Sequence, residues 1–253
     1  MEFHIFESGS KGNCTLITSN NHHILIDDGI SKKKLVNYLS QYDLTLDDIE
    51  ALLVTHNHGD HISGIEKAFP THKKIYTTKL VNLGIPEENL IEPYSDYQIA
   101  GFKVTCLPTS HDAPGSIGFI LEDSEAKLVY ITDTGYLFER VVDLINNADY
   151  YIIESNHNVR MEINSKRSAS LIKRVLGDEG HLSNVDSANY MCDVIGSRTK
   201  QIILAHLSED ANSPEQALKD YQEEFEKRDV DFSLYDIRCA SQHEIVSGGN
   251  LKK

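Results

Sequence analysis

The chain has 253 residues, of which 40% are apolar and 25% charged, the balance of a globular protein that can bury a core without covalent staples. Twenty-four basic against 39 acidic residues leave a net charge of −15, and such a field repels polyanions, which excludes a generic nucleic-acid coat. No apolar run nears the ~18 residues of a membrane span, Met1 to Ser10 lacks a signal pattern, and Cys14, Cys106, Cys192 and Cys239 form no CxxC pair, so the sequence predicts a cytoplasmic protein with unpaired, buried thiols.

The first third reads as short strands. Phe3 to Phe6, Cys14 to Ile17 and Ile24 to Ile26 are β-branched or apolar runs, punctuated by Gly9, Gly12, Asn13, Asn20 and Asn21. Ser31 then suits the N-cap of a helix reaching Leu39, with Leu35 and Val36 expected on its buried side. Ala51 to Thr55 is a continuous buried-type strand that stops at a polar cluster, His56 to His61. Further strands follow at Phe102 to Leu107, Ile117 to Leu121, Leu128 to Ile131, Tyr150 to Ile153 and Ile202 to Leu204. Helical patterns fall at Phe138 to Ile145, Ser168 to Leu176, Val185 to Ile195 and Pro214 to Glu226, the last with Ser213 before a first-turn proline. With no repeat, linker or low-complexity segment, residues 1–253 are expected to form one α/β domain of layered sheets and outer helices.

Strongly polar residues collect where apolar strands stop. Asp27, His56, His111, Asp133 and His206 each follow such a run, and ligand sites favour strand ends because a rigid element fixes each side chain. His56-Asn57-His58-Gly59-Asp60-His61 offers four metal ligands within six residues. In an extended turn His56 and His58 can point the same way, while Asp60 and His61 can serve a second ion. Imidazole and carboxylate suit zinc, manganese or iron better than calcium.

This hexapeptide with Gly64 resembles the HxHxDH motif of the metallo-β-lactamase superfamily, and the other strand-end residues match that superfamily in order. Ser8 to Cys14, Glu154-Ser155-Asn156-His157, Gly180 to Asn184 and Ala205 to Ser208 are similar to its exonuclease-like YycJ/WalJ (VicX) branch. Lys11 and Cys14 depart from the branch pattern in the first loop. The resemblance spans Phe3 to about Ile245 and implies an αββα four-layer sandwich. It implies two divalent ions, one on His56, His58 and His111, the other on Asp60, His61 and His206, bridged by Asp133. Asp27 would orient a ligand histidine through its free ring nitrogen.

The activity implied is that of a phosphodiesterase, a 5′-to-3′ DNA exonuclease that uses a hydroxide bridging the two ions, with Asp60 at its centre. By analogy with tRNA-processing relatives, His181 paired with Glu154 would protonate the leaving group. Substrate contacts are expected from Ser10, Asn13, His157, Ser183 and Asn184, and strand guidance from Arg160, Lys166 and Arg167. Those three cations lie in a locally basic stretch, with seven basic against five acidic residues between His157 and His206. The partner that the resemblance implies is DNA more than RNA. Two other readings stay open: hydrolysis of a small ester such as a cyclic phosphodiester or thioester, or a non-catalytic regulator that keeps the fold.

Overall fold

The computed structural model describes residues 1–250. Along the chain run β1 (Glu2–Glu7), β2 (Cys14–Ser19), β3 (His22–Ile26), β4 (Ala51–Leu53) and β5 (Ile75–Tyr76), which with β13 (Val246–Gly249) make one sheet in the order β13-β1-β2-β3-β4-β5. The second sheet contains β6 (Asp96–Ile99), β7 (Phe102–Pro108), β8 (Ile117–Glu122), β9 (Lys127–Ile131), β10 (Tyr150–Glu154), β11 (Gln201–Ala205) and β12 (Asp236–Cys239), hydrogen-bonded in sequential order.

The inner faces of the two sheets share one core. Phe3, Ile5, Ile24 and Leu53 from the first meet Phe119, Leu128, Tyr150 and Ile203 from the second, and the Phe3 and Tyr150 rings touch edge to face at 5.9 Å. Each fully buried side chain of this size contributes about 1.5–3 kcal/mol. On the outer face of the first sheet lie α1 (Lys32–Ser40), α2 (Gly59–Ile62) and α3 (Ile65–Ala68). The chain then forms α4 (Glu139–Ile145), α5 (Val159–Ile163), α6 (Ala169–Val175), α7 (Asn184–Val194) and α8 (Pro214–Lys227), of which α4, α7 and α8 cover the second sheet. This is the αββα sandwich expected above.

Local signals account for the long helices. Ser31, Ser168, Ser183 and Ser213 each accept a backbone N–H of the first turn, satisfying a donor the helix itself cannot. In α1 the buried residues are Leu35 and Leu39, four apart, while Val36 is 45% exposed, contrary to expectation, because it sits a full 100° around the helix. The strands that the sequence pattern missed, β5, β6, β12 and β13, are the four sheet edges. An edge strand faces solvent along one side, so Asp96-Tyr97-Gln98-Ile99 and Val246-Ser247-Gly248-Gly249 carry no apolar run to reveal them. Among the described residues no helix is long and apolar enough to cross a membrane.

The mixed topology builds the site. β9, β10 and β11 are mutually parallel, so Asp133, Glu154 and His206 emerge at one edge of the second sheet. β3 and β4 are parallel as well and deliver Asp27 and His56 to one edge of the first. Asp27, Asp133 and His206 all adopt left-handed backbone, with φ of 58°, 56° and 55°. Asp and His tolerate this region better than most residues, and such conformations gather at functional sites.

Gly29 fixes the loop after β3 against the histidine-rich turn. A Cβ there would lie 1.6 Å from the Asp60 carbonyl oxygen. Gly29→Ala is therefore expected to lower stability by about 1–3 kcal/mol through forced backbone displacement, and to reduce metal occupancy. Urea unfolding and metal analysis read both, and wild-type values for each would refute the close-packing argument.

Candidate metal centre

His56 follows β4 and is fully buried, with its Nδ1 3.0 Å from Thr55 Oγ1. Thr55 closes the apolar run and ties the turn together. Its backbone N–H donates to Asp27 Oδ1 at 2.8 Å, and its hydroxyl lies 2.9 Å from Asp27 Oδ2. Asp27 Oδ2 in turn accepts from His61 Nδ1 at 2.8 Å, which turns His61 Nε2 towards Asp133 and Asp60, 3.3 and 3.5 Å away. On the other sheet, Glu154 Oε1 lies 2.9 Å from His206 Nδ1, leaving His206 Nε2 to face Asp60 Oδ2 at 3.7 Å. His111 Nδ1 donates to the Gly180 carbonyl at 3.2 Å, and its Nε2 stands 3.3 Å from His58 Nδ1. In His56, His61, His111 and His206 the Nδ1 side of the ring is thus held by a partner, which leaves Nε2 as the ligand-type nitrogen.

Two constellations result: His56, His58 and His111, and Asp60, His61 and His206, each with candidate ligand atoms within 4.8 Å of one another. Asp133 lies between them, with Oδ1 3.7 Å from His111 Nε2 and Oδ2 3.3 Å from His61 Nε2. Three buried polar atoms of this cluster lack a hydrogen-bond partner: His56 Nε2, His206 Nε2 and Asp133 Oδ2. Buried polar atoms are rarely left so. Their distribution over both constellations and the carboxylate between them, together with an all-N/O donor set, fits divalent zinc, manganese or iron.

The electrostatics agree with that fit. Burial, reinforced by His61, pushes His56 down to about 2, so its ring is neutral. Burial opposes charge on His206, but Asp133, Asp60 and Glu154 outweigh it and raise the imidazole to about 10. His61 is raised in the same way by Asp133 and Asp27 against burial. Against its own burial, Asp133 is held well below the carboxylate range by His206 and His61. In the metal-free protein the surrounding carboxylates therefore favour the protonated forms of His61 and His206, whose ligating nitrogens must be free of a proton to bind metal. Zinc loading at pH 7 is expected to release about one to two protons, and affinity to rise with pH. Calorimetry in buffers of different ionisation enthalpy reads the release, and a heat independent of buffer would contradict it.

His181 Nδ1 donates to Glu154 Oε1 at 2.8 Å and stands 3.7 Å from Asp133 Oδ1. Glu154 also accepts the backbone N–H groups of Thr134 and Leu182 at 2.9 and 3.1 Å. Burial works against its ionisation, yet His181 and His206 lower it to about 2.

The substrate contacts divide differently from expectation. Asn13 is fully buried; its amide closes the 9–13 loop on Gly9 and reaches Asp60 Oδ2 and His61 Nε2 at 3.3 and 3.0 Å, so it positions those side chains and cannot face a substrate. Asn184 is also fully buried, bonded to Ser155, Asn212 and Asp220. Ser183 caps α7 and lines a cavity beside His181, as does His157, which burial lowers to about 4. Ser10 is exposed on its loop. Arg167 is committed to Glu162, Ser208 and Asp210, so it is not a free guiding cation, whereas Arg160 and Lys166 are exposed. Cys14 and Cys106 are buried as expected, but Cys192 and Cys239 are only half-buried, and all four are free.

Pattern reading missed Asp112 and Arg174. Arg174 grips Asp112 with a two-nitrogen fork, and Asp112 Oδ1 lies 3.6 Å from His58 Nε2. The only signal was Asp112's place directly after His111.

Residues 22–207 match the family described as Beta-lactamase superfamily domain. The chain is similar to the exodeoxyribonuclease WalJ of Streptococcus pneumoniae serotype 2 (strain D39 / NCTC 7466), with 32% identity over 256 residues and 93% of each chain covered. It is 34% identical over 227 residues to the exodeoxyribonuclease YycJ of Bacillus anthracis, covering 86% of each. Among solved structures, the metallo-beta-lactamase fold protein YhfI from Bacillus subtilis superposes with a TM-score of 0.69 at 16% identity, over 98% of this chain and 99% of that one. At that identity the likeness concerns the fold alone.

Proposed function

The chain belongs to the metallo-β-lactamase superfamily, in its YycJ/WalJ branch, and on that premise we propose that it is a metal-dependent exonuclease whose substrate is DNA, degraded from the 5′ end. Two divalent ions, when bound, would lower the pKa of an attacking water and brace the attacking and leaving oxygens of the displacement. His56, His58 and His111 would hold one ion and Asp60, His61 and His206 the other, with Asp133 facing both. Asp27 orients His61, and Glu154 orients His206.

The observation that carries the phosphodiesterase reading is the Glu154–His181 pair. The carboxylate holds Nδ1–H of His181, so Nε2 is the atom that delivers a proton to the departing oxygen. His181 is 13% exposed beside a cavity, which gives substrate access to it. The 1–253 chain acts as one domain in this reading, a view supported by the core shared between the sheets. Four free cysteines accord with a reducing cytoplasm.

A panel of end-labelled, 5′-phosphorylated duplex, single-stranded DNA and RNA, with bis(p-nitrophenyl) phosphate alongside, tests the proposal in manganese and in zinc. Stepwise loss of DNA from the 5′ end is expected. Hydrolysis of the small diester without turnover of any nucleic acid would overturn it in favour of a small phosphodiester, which the charge of −15 would also suit.

A further inference from the structure

Beside the metal cluster lies a cavity of about 470 Å³, within the size range of small-ligand pockets. His181 and Ser183 form its end nearest the cluster, and Tyr136, Val159 and Leu176 supply apolar walls, each 37–39% exposed. The remaining polarity is acceptor-rich. Asp178, Asp186 and Asp193 line it, and no lysine or arginine does. Asp186 is engaged by Ser183 and Asp193 by Arg228, but among the described residues the exposed Asp178 carboxylate forms no ion pair. A phosphate would be repelled here. A flat aromatic group carrying an amino donor would be accepted.

The cavity is built into the frame of the site. Gly135 packs so tightly on the 177–178 turn that a Cβ would meet the Asp178 carbonyl oxygen at 2.1 Å. Gly135 N–H donates to the Ser110 carbonyl at 2.8 Å, and Ser110 Oγ donates to the Asp178 carbonyl at 2.8 Å. Tyr136 is therefore anchored three residues from Asp133, and its wall is locked to the loop that carries His111.

Resting on the nuclease reading, we propose that this cavity takes one unstacked nucleobase, that of the nucleotide bearing the scissile phosphate, with Tyr136 as the stacking face and Asp178 as acceptor for an exocyclic amino group. Amino-bearing bases are then preferred to thymine at the strand end. The proposal assigns substrate discrimination to a part of the surface that carries no positive charge, and it leaves the phosphate to the metal cluster.

The test compares DNA strands whose terminal nucleotide is either cytidine or an abasic tetrahydrofuran unit, cut by wild type, Tyr136→Phe and Tyr136→Ala. Wild type and Tyr136→Phe should favour the natural end by about tenfold or more in kcat/KM, and Tyr136→Ala should lose most of that preference. Terminal 2-aminopurine, bound to a His181→Ala background that slows turnover, should be quenched, and the added Tyr136→Ala substitution should restore its fluorescence. Equal cleavage of natural and abasic ends by wild type, or equal losses on both ends in Tyr136→Ala, overturns the base pocket while the nuclease reading stands. Absence of any DNA cleavage by wild type overturns both.

Discussion

Replacing Asp60 and His61 together with alanine is expected to abolish phosphodiester hydrolysis, a loss of about 10⁴–10⁶ in kcat for groups that act as a unit, and to remove most of the bound metal. These residues supply two of the three candidate ligands in one constellation, and His206 alone remains. His61 also gives Asp133 and Asp27 their nearest positive partner, at 3.3 and 2.8 Å. The variant retains the anchoring of Asp27 by the Thr55 backbone and hydroxyl, which favours a folded product. Metal stoichiometry and turnover are measured on protein whose circular dichroism matches wild type. Full turnover in such material, or two equivalents of tightly held metal, would falsify the ligand assignment.

A His181→Ala variant should keep both metals and lose about 10²–10⁴ in kcat on DNA, the usual worth of a positioned general acid. The remainder of the site is insulated from the change. Glu154 still accepts from Thr134, Leu182 and His206, so the His206 ring keeps its orientation. The leaving group provides the discriminating measurement. Nitrophenolate departs without protonation, so bis(p-nitrophenyl) phosphate should be slowed far less than DNA. Equal slowing of both substrates, or none, would mean that His181 acts by packing and not by proton transfer. Glu154→Gln makes a companion probe: it removes the charge that fixes the His181 Nδ1–H and the His206 Nδ1–H at once, so the pH–rate profile should move as well as the rate.

Much of this centre was readable before any fold was known, because the signals are local. A strand buried on both faces must be an apolar run, so Leu52-Leu53-Val54 ending in Thr55-His56 marks where the run leaves the core. The same logic picked out Asp27, Asp133 and His206. A serine cap located α1, and a serine cap with a first-turn proline located α8, for equally local reasons. Edge strands escaped, since solvent on one side removes the apolar pattern that detection relies on.

By itself the sequence determined which residue types stand where strands stop, and hence that a cluster of imidazoles and carboxylates exists. The tertiary structure decided which of them meet and what every other polar group does. Asn13 and Asn184 look like loop and helix-start residues that could greet a substrate, yet both are fully buried, one bracing Asp60 and His61, the other bonded into a polar network. Arg167 is absorbed by acidic neighbours, and Arg174 is instead joined to the centre through Asp112. The physical reason lies in range. Strand periodicity and helix capping act over a few residues, whereas the partner of a buried polar atom comes from parallel strands and loops far apart in the chain, as in the 198 residues between Ser8 and His206. Only the closed sandwich brings those surfaces together, and it does so by burying apolar faces that carry no information about which hydrogen bonds will form at their edge.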